Sequence, residues 1–321
     1  MNRPTDSELR NANAYYVDIH SKLDTDFQAF ARLLQSKWRA ENDYPIGQSK
    51  KNHCGNFYGN FIEEDFSNKN ECNFLSEKIR NIAQKEMEKA RHRQGNKDIY
   101  EDDKFRTYCN LLSSKALSFN LFGEFSDRDG RKDILLNIFN ELKPNLMDKI
   151  TEIEFEYGDK KYLGDGTAFD VLIKYEKDNK KSFLGIEVKY SEDLTEESRD
   201  KAEKNFERHK KIYTYYTENY GIFKSNVIDE IKYPPYSQIW RDHLLSISMK
   251  NQEKYDDGYF VCLYPFNNKE CRSGIKNYVN KFLQNLEASF FEIYVEKFIE
   301  IIKNHMEDRG KKVFDRYVKG L

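Results

Sequence analysis

Two short apolar stretches separated by a polar turn constrain this chain more than anything else in it. Residues 167–176 read TAFDVLIKYE and residues 182–190 read SFLGIEVKY, with Lys177-Asp178-Asn179-Lys180-Lys181 between them. Both stretches are rich in β-branched and aromatic residues, and the intervening turn suits a hairpin. In the second strand Leu184, Ile186, Val188 and Tyr190 share one face, and Phe183, Gly185, Glu187 and Lys189 share the other. So apolar a strand belongs in the middle of a sheet, yet this one carries a carboxylate and an ammonium two residues apart on one face. Burying either charge uncompensated costs roughly several kcal/mol. The first strand repeats the anomaly with Asp170 inside Ala168-Phe-Asp-Val-Leu-Ile173. A two-residue turn at Asp178-Asn179 places Asp170 directly opposite Glu187, with Cβ atoms about 4.5–5.5 Å apart.

Two carboxylates at that separation repel each other unless a proton or a cation lies between them. Carboxylate oxygens with positions left for water and phosphate are the ligands Mg²⁺ prefers. A cation so held polarises a phosphodiester and lowers the pKa of a bound water. Lys189 beside it orients that water, stabilises charge developing on the phosphorus, or acts as a base with a depressed pKa; the residues leave these roles open. The competing reading is a solvated Glu–Lys network on an edge strand.

The pattern around these residues extends the argument. The central part of the chain runs helix, three strands, helix, strand. Asp170 followed by Glu187-Val188-Lys189 in that order of elements resembles the PD-(D/E)XK nuclease superfamily, the restriction-endonuclease-like fold. The fuller strings, Gly164-Asp-Gly-Thr-Ala-Phe-Asp170 and Gly185-Ile-Glu-Val-Lys-Tyr-Ser-Glu192, are similar to a group of uncharacterised restriction-endonuclease-like bacterial proteins. The likeness covers about residues 105–265, and Phe169 stands where the motif's name has Pro. The resemblance implies an α/β fold with a central mixed sheet, and Mg²⁺ (or Mn²⁺) held by Asp170, Glu187 and the Val188 carbonyl. It implies Lys189 as the catalytic lysine and DNA as the substrate, with a role in restriction or phage defence. It also implies a further acidic residue from the preceding helix or first strand, for which Glu124, Glu154 and Glu156 are the candidates. Glu154 and Glu156 share a strand face with Glu152, so the plain alternative for both is a solvated edge.

The remaining chain is organised around that core. Residues 1–104 read as a helical N-terminal region packed on it, residues 105–270 as the nuclease core, and residues 271–321 as a C-terminal helix and tail. Apolar periodicity predicts helices over about 27–38, 74–91, 104–122 and 134–142, with a loop-like stretch over 48–73. Residues 150–157 alternate as a half-buried strand. A charged helix over 195–220 with Thr195 as N-cap, a helix over 237–249, a buried strand over 259–264 and one long amphipathic helix over 275–305 complete the expectation.

Charge and composition exclude several classes. The 321 residues carry 53 Lys and Arg against 55 Asp and Glu, so nucleic acid must be bound through a local patch and not by global charge. No stretch of about 18 apolar residues is present, so no membrane span is expected. A polar N-terminus and five cysteines without a CxxC pair suggest reduced thiols and a cytoplasmic location. His53-Cys54 with Cys72 lacks the ligand count and spacing of a zinc site.

Two clusters are candidates for contacting nucleic acid. In Gln238-Ile-Trp-Arg-Asp-His243, Gln238 or Arg241 is placed to touch a phosphate or base, or else Trp240 and Leu244 pack inward and Arg241 pairs with an acid. Arg208, Lys210 and Lys211 beside Tyr213, Tyr215 and Tyr216 mix positive charge with rings that stack on unpaired bases, unless they form a solvated face. Cutting both strands of a duplex is simplest for a symmetric homodimer, with the long C-terminal helix as one interface. The alternatives to a DNA nuclease are an inactive nucleic-acid-binding protein on the same fold and an RNA or single-strand nuclease.

Overall fold

A computed structural model describes residues 2–17, 23–50, 56–94, 97–126, 131–195, 197–285 and 289–319. The first part of the chain forms α1 (Asp6–Asn11), α2 (Asp26–Glu41), β1 (Ile46–Gln48), β2 (Phe57–Ile62), α3 (Glu64–Asn70), α4 (Glu77–Gln94), α5 (Lys97–Cys109) and α6 (Ser114–Phe122). There follow α7 (Arg131–Leu142), β3 (Lys149–Tyr157), α8 (Lys160–Leu163), β4 (Phe169–Lys177), β5 (Lys180–Val188), α9 (Arg199–Glu218), α10 (Ile228–Ile231), α11 (Ser237–Glu253) and β6 (Asp257–Tyr264). The chain ends with α12 (Lys269–Phe282), β7 (Phe290–Tyr294), α13 (Val295–His305) and α14 (Glu307–Tyr317). These elements fall into two compact units, one of residues 1–124 with 299–321 and one of residues 125–298.

The first unit is helical around a small antiparallel pair, β1 with β2. Capping boxes start α1 at Thr5 and Glu8 and α2 at Thr25 and Gln28. Buried arginines organise its interior. Arg32 pairs with Asp24 at 2.7 Å and donates to Asn60, which in turn bonds Asn110. Arg316 is fully buried and donates to the Asn73 carbonyl at 2.7 Å. Two sequence expectations are corrected here. The stretch 48–73 is not a loop, because it contains β2 and α3. The helix expected over 104–122 is two, interrupted where Asn110 turns its side chain onto the Leu112 N–H and Ser113 caps α6.

The second unit is a five-stranded mixed sheet in the order β3-β4-β5-β6-β7. β3, β4 and β5 are antiparallel neighbours, while β6 runs parallel to β5 and β7 parallel to β6. The β4–β5 hairpin has the two-residue turn expected from the sequence. Lys177 pairs with Lys180, and Asp178 and Asn179 both sit at positive φ, 51° and 61°, as a type I′ turn requires. α9 and α11 pack together, and α11 packs on β5 and β6. Trp240, Leu244 and Leu245 of α11 share a core with Leu172, Phe183 and Phe260 of the strands. Gly185 is required in this layer, because a Cβ there would lie 2.4 Å from the Phe169 ring.

The C-terminal expectation is also corrected. The stretch 275–305 is not one helix. α12 stops at Phe282, the backbone extends at Leu283, and residues 290–294 join the sheet as its fifth strand before α13 resumes. The continuous helix offered as a dimer interface is therefore absent. α9 starts later than expected, capped by Ser198, while Thr195 instead bonds Asp193 in a turn of its own. Among the described residues, no helix is long and apolar enough to cross a membrane.

Candidate active site

The site lies where β4 and β5 reach the end of their pairing. Their ladder runs to Val171 and Ile186, and one step further in the same register Asp170 stands across from Glu187. There the Val188 N–H donates to Oδ2 of Asp170 at 2.7 Å, so a side chain takes the place of a backbone acceptor. On the other side Glu187 is registered against Cys262 of β6, and the Lys189 N–H donates to the Leu263 carbonyl at 2.8 Å. The chain beyond is fixed by Asn268, the N-cap of α12, whose side chain donates to the carbonyls of Tyr190 and Glu192. Three strands and one helix start thus hold the backbone of these residues rigidly.

The charged side chains are packed, not solvated. Glu187 is 5% exposed, Lys189 is 7% exposed, and Asp170 is half-buried. Lys189 Nζ pairs with Glu187 Oε1 at 2.8 Å. The side-chain amide of Gln238, at the start of α11, holds both: its oxygen accepts from Lys189 at 2.9 Å and its nitrogen donates to Glu187 Oε1 at 2.8 Å. Burial first, then the nearby Glu187 and Glu156 carboxylates, push the Asp170 carboxyl well above the ordinary carboxylate range. Burial alone would lower the Lys189 ammonium, but Glu187, Glu192 and Asp170 outweigh it and raise the group above an ordinary lysine. In the protein without a bound ion the lysine is therefore a cation.

Two more acids belong to this neighbourhood. Glu156 lies near the end of β3, opposite Asp170 in the β3–β4 register, with a left-handed φ of 51°. Asp242 lies one turn after Gln238 on α11, is 3% exposed, and has an Oδ2 with no hydrogen-bond partner. Burial and then Glu187 push its carboxyl well above the usual range. Both acids line a cavity of about 880 Å³, together with Asp165, Gln238, Arg241 and a series of side chains from α9. The Gly164-Asp165-Gly166-Thr167 loop forms part of its wall. Gly164 ends α8 at φ 81°, Asp165 accepts from Thr167 N–H and Oγ1, and the Tyr213 hydroxyl also donates to Asp165.

Comparison with known families shows which family the chain belongs to. A family model of the PD-(D/E)XK nuclease superfamily matches residues 22–319. The chain belongs to the PD-(D/E)XK nuclease superfamily. No curated protein and no solved structure matches it. The α7–β3–β4–β5–α9 order with β6 parallel to β5 agrees with the superfamily's restriction-endonuclease-like fold.

PD-(D/E)XK nucleases generally use divalent metal ions, and the donor set here fits one. It offers only oxygen, from two carboxylates in adjacent strands, one of them raised in pKa by burial and then by the other, so a cation between them relieves both the burial and the repulsion. Among the described residues no three Asp, Glu, His or Cys side chains form a ready cage.

The remaining sequence candidates fall in different places. Glu124 lies in the first unit and accepts from the Ser76 hydroxyl. Glu154 and Glu152 both pair with Lys174, the solvated edge that their alternation suggests. Glu156 alone of the three lies beside Asp170. Arg241 reaches the cavity while pairing with Glu197 at 2.9 Å. Lys210 and Lys211 are exposed and lie outside the cavity wall, Lys210 pairing with Glu207. The stacking platform is corrected: Tyr213 and Tyr216 are buried in the core, and of the three tyrosines only Tyr215 is exposed. His53 and Cys54 lie outside the described residues, while Cys72, Cys109, Cys262 and Cys271 are buried free thiols. Of the candidate cluster Arg208 does line the cavity, while Lys201 and Lys204, which share that wall, were missed in the sequence. Their three- and four-residue spacing was the available signal.

Proposed function

We propose that this protein is a metal-dependent nuclease that hydrolyses DNA phosphodiester bonds, with Mg²⁺ or Mn²⁺ as its ion. In this reading Asp170, Glu187 and the Val188 carbonyl hold the ion and Lys189 is the catalytic lysine. The observation that carries it is the buried Glu187–Lys189 pair set in register with Asp170 at the joined ends of three strands.

When bound, the ion supplies Lewis acidity toward a phosphate oxygen and a water of lowered pKa. The rest falls to the chain. Asp170 gives up its proton to serve as a ligand, since a proton and a cation compete for the same oxygens. Lys189 acts as a charged donor, which suits it to orient the attacking water or to stabilise charge developing on the phosphate, and not to abstract a proton. Gln238 limits the rotamers of both Glu187 and Lys189, holding them close to their working positions before substrate arrives. Glu156 beside Asp170 and Asp242 beside Glu187 add negative charge near the site.

DNA is the leading substrate by analogy with the superfamily, and the same analogy suggests endonucleolytic action in restriction or phage defence. Burial of Tyr213 and Tyr216 removes the main support for a base-stacking, single-strand reading. The test is incubation of plasmid DNA, single-stranded DNA and RNA with Mg²⁺ or Mn²⁺, with and without EDTA. Metal-dependent conversion of supercoiled plasmid to nicked or linear forms is expected. Binding without turnover under every divalent ion would instead favour an inactive nucleic-acid-binding protein.

A further inference from the structure

The cavity wall contributed by α9 has a charge pattern that the carboxylate site does not explain. Lys201, Lys204 and Arg208 recur at three and four residues, so they form one stripe along the helix, and all three are exposed and line the cavity. Among the described residues none of them has an ion-pair partner. Other basic side chains nearby are engaged: Lys210 with Glu207 at 3.2 Å, Lys232 with Glu203 at 3.0 Å, and Arg241 with Glu197 at 2.9 Å. Like charges at these spacings cost an isolated helix a few tenths of a kcal/mol per pair. The stripe therefore presents three cations to the cavity at spacings that repel one another. Glu156, Asp165 and Asp242 line the same cavity from other elements, Glu197 feels the charge of Lys201 and Asp200 lies one turn before Lys204, yet among the described residues none forms an ion pair with the three cations.

Resting on the nuclease reading above, we propose that Lys201, Lys204 and Arg208 form a rail for the backbone phosphates of one nucleic acid strand. Seven residues of helix separate Lys201 from Arg208, about 10 Å of rise. That is close to the axial length of about three phosphates in one strand of a B-form duplex. Lys211 continues the same stripe one step past the cavity, where the strand leaves it. The rail contacts phosphates only, so it seats the strand without reading sequence.

The test is fluorescence anisotropy with a labelled oligonucleotide, single-stranded and duplex, in EDTA over a range of salt, using the full chain. The variants are Lys201→Ala/Lys204→Ala/Arg208→Ala and a control, Lys180→Ala/Lys181→Ala, at the hairpin end of β5. Along the strand the control lies about 20 Å from Glu187. The triple variant is expected to bind at least about tenfold more weakly and to lower the salt slope by about two to three, while the control stays within about twofold. A triple variant that binds like wild type, or a control that loses as much, overturns the rail. If wild type cleaves DNA with metal and the triple variant still binds normally, the rail alone falls. If wild type neither binds nor cleaves any nucleic acid, the nuclease reading falls and takes the rail with it.

Discussion

Lys189 and Gln238 are joined by a hydrogen bond of 2.9 Å from the ammonium to the amide oxygen, and the same amide donates to Glu187 at 2.8 Å. One neutral side chain on a helix thereby fixes two charged ones on a strand. Gln238→Leu keeps the length of the side chain but removes both bonds. Turnover should fall by about ten- to a hundredfold with little change in KM, because what is lost is orientation and not affinity. Steady-state kinetics on a cleavable oligonucleotide separates the two parameters, and a change confined to KM would argue against the role.

Asp170 gives a pH dependence of definite sign. Burial and then Glu187 raise its carboxyl in the fold, so the folded chain holds that proton more tightly than the unfolded one, and the stability this gives is lost as pH rises from the ordinary aspartate value of about 3.9 to the folded value. In metal-free protein, Asp170→Asn should therefore raise the melting temperature more at pH 8 than at pH 5. The same proton competes with the cation, so Mn²⁺ affinity of the wild type should increase with pH, with an acid limb above the ordinary aspartate value of about 3.9. Calorimetric titration at several pH values checks both the sign and the position of that limb.

His243 is a structural group with its own acid lability. The ring is fully buried, its Nδ1 against the Tyr278 hydroxyl at 2.9 Å and its Nε2 against Ser289 Oγ at 3.1 Å. Burial pushes its pKa down to about 3. A depressed base contributes stability that is complete above its unfolded pKa of about 6.5 and is lost as pH falls toward the folded value, by up to about 1.4 kcal/mol per pH unit. Urea unfolding of His243→Gln should show a flatter loss of stability below about pH 6.5 than wild type.

Gly185 tests the packing above the site. A methyl group there would meet the Phe169 ring at 2.4 Å in the middle strand of the sheet. Gly185→Ala should destabilise the protein by about 1–3 kcal/mol, as overpacking of a core does. Adding Phe169→Leu should recover part of that loss, and equal, additive effects in the double variant would show that the two positions are not in contact.

The sequence displayed the site more clearly than the periphery of the fold. The hairpin register was legible because Asp178-Asn179 chooses a two-residue turn, and that turn dictates which residues oppose one another down both strands. Charges in apolar strands then marked Asp170, Glu187 and Lys189 as unusual. β7 was not legible. Phe290, Ile293, Phe298 and Ile301 continue a helical spacing across the junction, and no Gly or Pro marks the break, so the change of state depends on the open edge of β6. Nor did the chain reveal which of Glu152, Glu154 and Glu156 turns toward Asp170. Strand alternation puts all three on one face, and only the left-handed φ of Glu156 separates it from its neighbours. The role of Gln238 depends on where α11 docks on the sheet, a tertiary fact with no local signature.

The most direct measurement is DNA cleavage by Lys189→Ala beside wild type, with Mn²⁺ binding and thermal melting recorded on the same preparations. Lys189 is proposed to act on the phosphate while Asp170 and Glu187 hold the ion. The variant should therefore fold, bind Mn²⁺, and fail to cut plasmid at any concentration at which wild type does. Undiminished cleavage by the folded variant would contradict the assignment of this site.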